Sequence, residues 1–336
     1  MIFDDAFRIV NDEVFLELPE FVGQSRVFLK IEGLNAAGSI KLKPAVAMIE
    51  IAERRGLIQP GSSVIESTSG SLGIVIAMVA ARKGFRFTCV VDPNISPQSL
   101  CIIKALGAEV VQVQERDANG GYLGTRIAAI HDRLAADPDL VWLNQYANRA
   151  NPAAHAESTA TSILCEVGHV DQLFVGAGTT GTLMGCVEHF RRFSPWTSIV
   201  AVDSAGSVTF GGEAGPRHIP GIGSSRRPEI YRPGSADSEV LIDEVETVRM
   251  CRHVARRYGI LVGGSTGTVL AAVAASASAI PAGSRVVAIS PDLGDRYVRT
   301  VYNDEWVLST FGPDALAPIS AAEPPVAVPP LEKALA

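Results

Sequence analysis

Cysteine is sparse and scattered in this chain: Cys89, Cys101, Cys165, Cys186 and Cys251 are its only five, and no two form a CxxC pair. An odd number at wide spacing argues against a disulfide framework or a zinc site and for reduced thiols in a cytoplasmic protein. Clustered basic residues are missing too. The formal charge is −7, with 29 Lys and Arg against 36 Asp and Glu, so no broad nucleic-acid surface is expected. The opening MIFDDAFRIVNDE is acidic and lacks a basic region followed by an apolar core; no secretory signal is expected. One stretch, Gly259 to Ser284, carries no charge at all. Its length could span a membrane. Because GGSTGT stands near its start and small residues follow, a buried strand, turn and helix explain it better, and no membrane partner is expected.

What is present suits a soluble globular protein: 47% of the residues are apolar and 19% charged. The length of 336 residues accommodates two α/β lobes. Short apolar runs predict strands at Val64–Ile65, Phe87–Val91, Glu109–Val113, Val141–Leu143, Leu173–Val175, Ile199–Val202 and Val286–Ile289. Longer patterns predict helices at Ala45–Arg55, Leu72–Lys83, Pro97–Leu106, Tyr122–Ala135, Ala153–Val167, Thr182–Phe190, Glu244–Tyr258 and Thr268–Ala279. Such alternation implies mostly parallel sheets with helices on both faces. Ligands then sit at the carboxyl ends of strands, where loops enter helices. No internal repeat is evident. The Gly-, Pro- and Ser-rich segment Ser204–Ser238 reads as a long irregular loop, and loops of that length are usually functional or disordered. Beyond Trp306 the chain turns Pro- and Ala-rich, which reads as a flexible tail over residues 311–336.

Three glycine loops carry chemical potential. GAGTTGT, Gly176 to Thr182, follows an apolar strand and opens a helix, so its N–H groups and the helix dipole favour a phosphate. It also spells GxGxxG, with Asp203 near the spacing of a ribose-binding acid. Phosphate cup, dinucleotide site and plain structural turn stay open on this loop alone. GGSTG, Gly263 to Gly267, matches the hydrolase nucleophile elbow. That reading fails on chain order, because all six histidines precede Ser265. STSGSLG, Ser67 to Gly73, offers hydroxyls and N–H groups to a carboxylate; an ordinary Ser or Thr helix cap is the commoner explanation.

The segment NAAGSIKLKPA, Asn35 to Ala45, changes the balance. It resembles the NPGGSxKDR motif of the fold-type II pyridoxal-phosphate enzymes, the cysteine synthase and cystathionine β-synthase family. The resemblance runs from roughly residue 20 to roughly residue 308 and orders the remaining loops. It implies two lobes of tryptophan synthase β-like form, each a twisted sheet flanked by helices: residues 1–37 and 149–310 as a large cofactor lobe, and 38–148 as a small mobile lobe. Lys41 falls on the Schiff-base lysine that holds pyridoxal 5′-phosphate. Thr68 and Ser69, with Gln145 of NQYAN, fall on the substrate-carboxylate loop. Gly178, Thr179, Thr180, Gly181 and Thr182 fall on the phosphate cup, Gly221 of GIG on the loop over the cofactor ring, and Ser265 on the serine facing the pyridine nitrogen. Two departures stand out. Ser71 replaces an Asn that contacts the cofactor's 3′ oxygen, and KLK replaces KDR, so Lys43 adds a positive charge near the site.

A closer likeness lies in CVVDPNISPQSLCIIKALGAEV, DANGGYLGTRIA, NQYAN, AVDSAGSVTFG, PGIGSSRRPEI and PDLGDRYV. These resemble the synthases that start 2,3-diaminopropionate formation for siderophores or peptide antibiotics. The resemblance implies a homodimer that joins O-phospho-L-serine to L-glutamate, releasing phosphate and N-(2-amino-2-carboxyethyl)-L-glutamate. A phosphate leaving group calls for cations. Arg226, after the GIG loop, is the first candidate, against a solvated loop arginine. Arg126 is a candidate for a glutamate carboxylate, against a surface helix charge. Three rivals remain: a cysteine synthase that takes sulfide, a nicotinamide-dependent dehydrogenase built on GAGTTG and Asp203, and a cofactor-binding scaffold that lost activity through the Ser71 change.

Overall fold

Eleven strands form two sheets in the computed structural model, which describes residues 2–68, 70–319 and 326–328. In chain order they are β1 (Phe15–Val22), β2 (Ser25–Ile31), β3 (Ser63–Ser67), β4 (Arg86–Val91), β5 (Glu109–Gln112), β6 (Val141–Trp142), β7 (Gln172–Gly176), β8 (Ser198–Ser204), β9 (Ser238–Ile242), β10 (Arg285–Ser290) and β11 (Ala327–Val328). The larger sheet has the order β1-β2-β10-β7-β8-β9-β11, and the smaller one β5-β4-β3-β6. The smaller sheet is parallel throughout. The larger is parallel except at its two edges, where β1 and β11 pair antiparallel.

Among the described residues, ten α-helices surround the sheets: α1 (Leu42–Arg54), α2 (Ser71–Lys83), α3 (Pro97–Ala105), α4 (Leu123–Ala136), α5 (Ala150–His155), α6 (Thr161–Val167), α7 (Gly181–Phe193), α8 (Glu244–Tyr258), α9 (Gly264–Ala275) and α10 (Asp304–Phe311). A π-helical turn, Ala156–Ala160, joins α5 to α6. Side chains of a strand alternate between faces, and the large sheet uses both. Phe174, Val200, Val202 and Ala288 pack with the apolar sides of α8 and α9. Leu173, Val175, Ile199, Ala201, Val287 and Ile289 pack with Ile163 of α6 and Leu183, Val187 and Phe190 of α7. In the small sheet, Val64, Phe87, Cys89 and Val91 meet α1, α2 and α3, while Ile65 and Val90 meet Ile130 of α4.

The charge-free stretch is now explained. Every residue from Gly264 to Val273 is buried, so α9 is apolar all round because protein surrounds it. Among the described residues no helix is long and apolar enough to cross a membrane. β1, β2 and β9 lie outside the expected strands. β1 carries Pro19 and a register shift between Leu18 and Val22, irregularities that an edge strand tolerates and that hide its alternation.

The tail also departs from expectation over its described part. Trp306 belongs to α10, Ala315 is fully buried, and Ala327–Val328 pairs with β9. The apolar Ala, Leu and Ile residues between its prolines find a partner surface that only the folded large sheet and α8 supply.

Candidate active site

Lys41 stands immediately before α1, with Pro44 in the helix's first turn, where its missing N–H costs nothing. The lysine lines a cavity of about 320 Å³ between the two sheets. Burial depresses its pKa to about 8, against a weaker opposing pull from Asp292. Asp292, also on the cavity wall, is pushed up to about 6 by its own burial, and its Oδ2 accepts a hydrogen bond from Tyr297 at 3.0 Å. Sequence reading missed Asp292; only the folded chain sets PDLGDRYV beside NAAGSIK.

The GAGTTGT loop runs from the end of β7 into α7 and lines the same cavity. Thr180 sits in left-handed backbone at φ 66°, a strained conformation for a non-glycine residue and one that clusters at functional sites. Its hydroxyl is buried and has no hydrogen-bond partner among the described residues. Thr179 accepts a hydrogen bond from Asn151 Nδ2 at 3.2 Å. A β-carbon at Gly181 would fall 1.9 Å from Asn151 Oδ1, so only glycine fits there. A strained threonine with an orphaned donor, at a helix N-terminus, fits an anionic group such as the cofactor phosphate.

Gly221 and Ser265 also line the cavity: a β-carbon on Gly178 of the GAGTTGT loop would be 3.0 Å from Gly221 O, and one on Gly221 3.5 Å from Ser265 Oγ. Ser265 lies in the first turn of α9, so GGSTG starts a helix rather than preceding one. On the small-sheet side, Thr68, Ser71 and Gln145 line the wall, while Ser69 lies outside the described residues. Glu66 anchors this region. It accepts from Ser67 N at 2.7 Å, Trp142 Nε1 at 3.2 Å and Gln145 N at 3.2 Å, and its burial lifts it to about 7. Gln145 Nε2 in turn donates to Ser67 O at 2.9 Å. The Ser71 hydroxyl accepts from Arg296 Nη1 at 3.0 Å, and Arg296 Nη2 donates to Ala37 O at 2.5 Å. Arg296 thus ties the Lys41 loop to α2, a link no motif signalled.

Of the two candidate arginines, Arg126 is buried, lines the cavity and faces Asp92 at 3.4 Å. Arg226 does not line it. The turn is held by Ser224 Oγ donating to Arg226 O at 2.6 Å, and the guanidinium leaves for solvent, pairing with Glu229 at 2.8 Å. Arg217 does line the cavity, and its Nη1 is buried with no hydrogen-bond partner among the described residues. Arg116 lines the same wall. Lys43 is not an added charge at the site, because it is spent on ion pairs to Glu32 and Asp12. Asp203 is fully buried, accepts from Ser204 N at 2.8 Å and lies off the cavity wall.

A lysine of lowered pKa and a glycine–threonine cup on one cavity, between two mostly parallel sheets, define a fold-type II pyridoxal-phosphate enzyme. The chain matches the family of pyridoxal-phosphate dependent enzymes over residues 14–292 and belongs to it. It is 42% identical to the N-(2-amino-2-carboxyethyl)-L-glutamate synthase of Ralstonia nicotianae, over 93% of each chain. Among solved structures it is similar to an O-ureido-L-serine synthase (TM-score 0.83, 30% identity, 92% of this chain and 100% of that one). It is also similar to the O-acetylserine dependent cystathionine β-synthase of Helicobacter pylori (TM-score 0.83, 28% identity, 90% and 100%). The protein is therefore a pyridoxal-phosphate dependent transferase of the β-replacement class. The dehydrogenase reading is overturned by this membership, and the burial of Asp203 removes its ribose partner.

Proposed function

We propose that the protein joins O-phospho-L-serine to L-glutamate, giving N-(2-amino-2-carboxyethyl)-L-glutamate and phosphate. The observation that carries this reading is the unpartnered Arg217 Nη1 on a cavity wall that also holds Arg116 and Arg126. A guanidinium fork suits phosphate and carboxylate oxygens, whereas sulfide needs no such wall. The likeness to the Ralstonia synthase supports N-(2-amino-2-carboxyethyl)-L-glutamate as the product. On this reading the product is a precursor of 2,3-diaminopropionate for a siderophore or peptide antibiotic, made in the cytoplasm by a homodimer.

Pyridoxal phosphate, when bound, supplies the electron sink that lets the α-proton and the β-substituent leave. Lys41 would hold it, and the Lys41 amine, whose pKa burial lowers to about 8, would take the α-proton. Thr68 and Gln145, with the N-terminus of α2, hold the substrate carboxylate. Ser71, accepting from Arg296, keeps its own proton for a donor bond into the cavity. Arg217 and Arg116 receive the departing phosphate, and Arg126 orients the acceptor's distal carboxylate.

The test is a visible spectrum of the purified enzyme, followed through addition of O-phospho-L-serine and then L-glutamate. The expected result is a band that shifts with the first and returns with the second. A shift reversed by sulfide but not by glutamate would make the protein a cysteine synthase instead.

A further inference from the structure

We infer that Lys43, Thr159 and His155 form a one-way hydrogen-bond chain that fixes the Thr182 hydroxyl as a donor toward the cofactor phosphate. The inference rests on the reading of Gly176–Thr182 as the phosphate cup. It starts from a buried ionic cluster that the chemistry of the cavity does not use. Lys43 and Lys30 share Asp12 and Glu32, and the Lys30 and Glu32 side chains are essentially inaccessible to solvent. An ammonium has three hydrogens and accepts none. Those of Lys43 go to Asp12, to Glu32 (Oε2 at 2.6 Å) and to Thr159 Oγ1 at 3.0 Å.

Thr159 therefore accepts on that side, and its own proton needs a taker. Its neighbours Ser158 and Thr161 donate to backbone carbonyls, Ala154 O at 2.6 Å and Ala156 O at 3.0 Å. For Thr159 the partner is His155 Nδ1 at 3.2 Å. A neutral imidazole that accepts at Nδ1 carries its hydrogen on Nε2. Nε2 lies 3.3 Å from Thr182 Oγ1, so Thr182 accepts there and turns its proton toward the cavity it lines. The imidazole stays neutral because it is fully buried and near the positive charges of Lys43 and Lys41, all of which hold its pKa well below the usual value. Thr159 belongs to the π-helical turn Ala156–Ala160, which directly follows His155; such turns recur at functional sites. A threonine left to choose could accept or donate; this one is held as a donor, the role an anion requires.

Nitrogen chemical shifts of His155 in the holoenzyme, assigned with a His155→Gln variant, test the chain directly. The expected signal is a single neutral species protonated at Nε2. The second readout compares the affinity of cofactor-free enzyme for pyridoxal 5′-phosphate and for pyridoxal, which lacks the phosphate. Thr159→Val should scramble the tautomer and weaken the first by about tenfold, the scale of one hydrogen bond to a charged group. Affinity for pyridoxal should be unchanged, and Thr159→Ser should restore both readouts. Protonation at Nδ1 in the wild type would overturn the proposal without any variant. So would a Thr159→Val enzyme of unchanged phosphate preference when Thr182→Val loses it. If Thr182→Val also keeps that preference, the cup reading itself fails and the chain falls with it.

Discussion

The two ends of the cavity are built differently. At the cup, Thr179 is held by Asn151 of α5, Thr182 by His155, and Gly185 of α7 lies so close to α5 that a β-carbon there would sit 2.4 Å from Pro152 O. Two of these ties join α7 to α5, and the other fastens the loop before α7 to α5. At the opposite end the wall is loop: residues 116–122 meet residues 223–225 through Asn119 Nδ2 to Ser225 O at 2.8 Å and Ser225 Oγ to Asp117 Oδ2 at 3.3 Å. Arg217 Nη1 is left open between them. A cofactor that stays bound calls for positions locked by packing, and helices supply that. Substrates that enter and leave call for groups that can be covered and uncovered, which is the province of loops.

That contrast can be broken in order of expected effect. Lys41→Ala should lower turnover by at least about 10³-fold, the upper range for loss of a positioned base. Its visible Schiff-base band should vanish; a variant that kept band and turnover would remove Lys41 from the chemistry. Next, Arg217→Ala should raise KM for O-phospho-L-serine by roughly 10- to 100-fold, the scale of a lost charge-assisted hydrogen bond, and change KM for O-acetyl-L-serine little. Arg226→Ala should leave both unchanged, since that guanidinium is half exposed and paired with Glu229. Equal losses at both arginines would return the leaving-group role to the GIG-loop neighbour.

A third test follows pH. With Lys41 held down to about 8, the neutral amine grows as pH rises toward that value and saturates above it. Single-turnover proton removal should therefore climb by up to about tenfold per pH unit below 8 and then level. A profile flat from pH 6 to 9 would place the base elsewhere.

The smallest effect on turnover is expected at Glu66, whose value in the fold is raised to about 7 from an ordinary 4.5. Between those values the folded protein keeps a proton that the unfolded chain releases. Its contribution to stability is thus complete below about 4.5 and lost as pH rises through 7. Denaturant unfolding of wild type and Glu66→Gln at pH 5 and 7.5 isolates this, with the variant gaining relative to wild type on the alkaline side. No relative gain would mean that Glu66 ionises freely in the fold.

Much of this was legible before folding because strands and glycine loops are local. The runs Leu173–Val175 and Val286–Ile289 signal their strands within a few residues, and GAGTTGT offers a phosphate cup, a dinucleotide site or a plain turn, a choice made only once the loop is set in order with NAAGSIKLKPA. Arg226 and Arg217 show where locality stops. Both stand beside the GIG loop, and only a turn closed by the Ser224 hydroxyl decides that one faces solvent and the other the cavity. The tail shows the same limit, since Ala327–Val328 becomes a strand only because β9 offers it an edge.

The sequence by itself determined the alternating α/β plan, because strands and turns depend on neighbours along the chain, and its likeness to a family singled out Lys41 and ordered the glycine loops. Tertiary structure decided which charges face the cavity, how Glu66 and Asp292 are raised, and which way the hydrogen bonds run from Lys43 to Thr182. Those depend on desolvation and on partners that local sequence does not pair, such as Lys43 with Thr159 and Ser71 with Arg296, brought within 3.5 Å only by the fold.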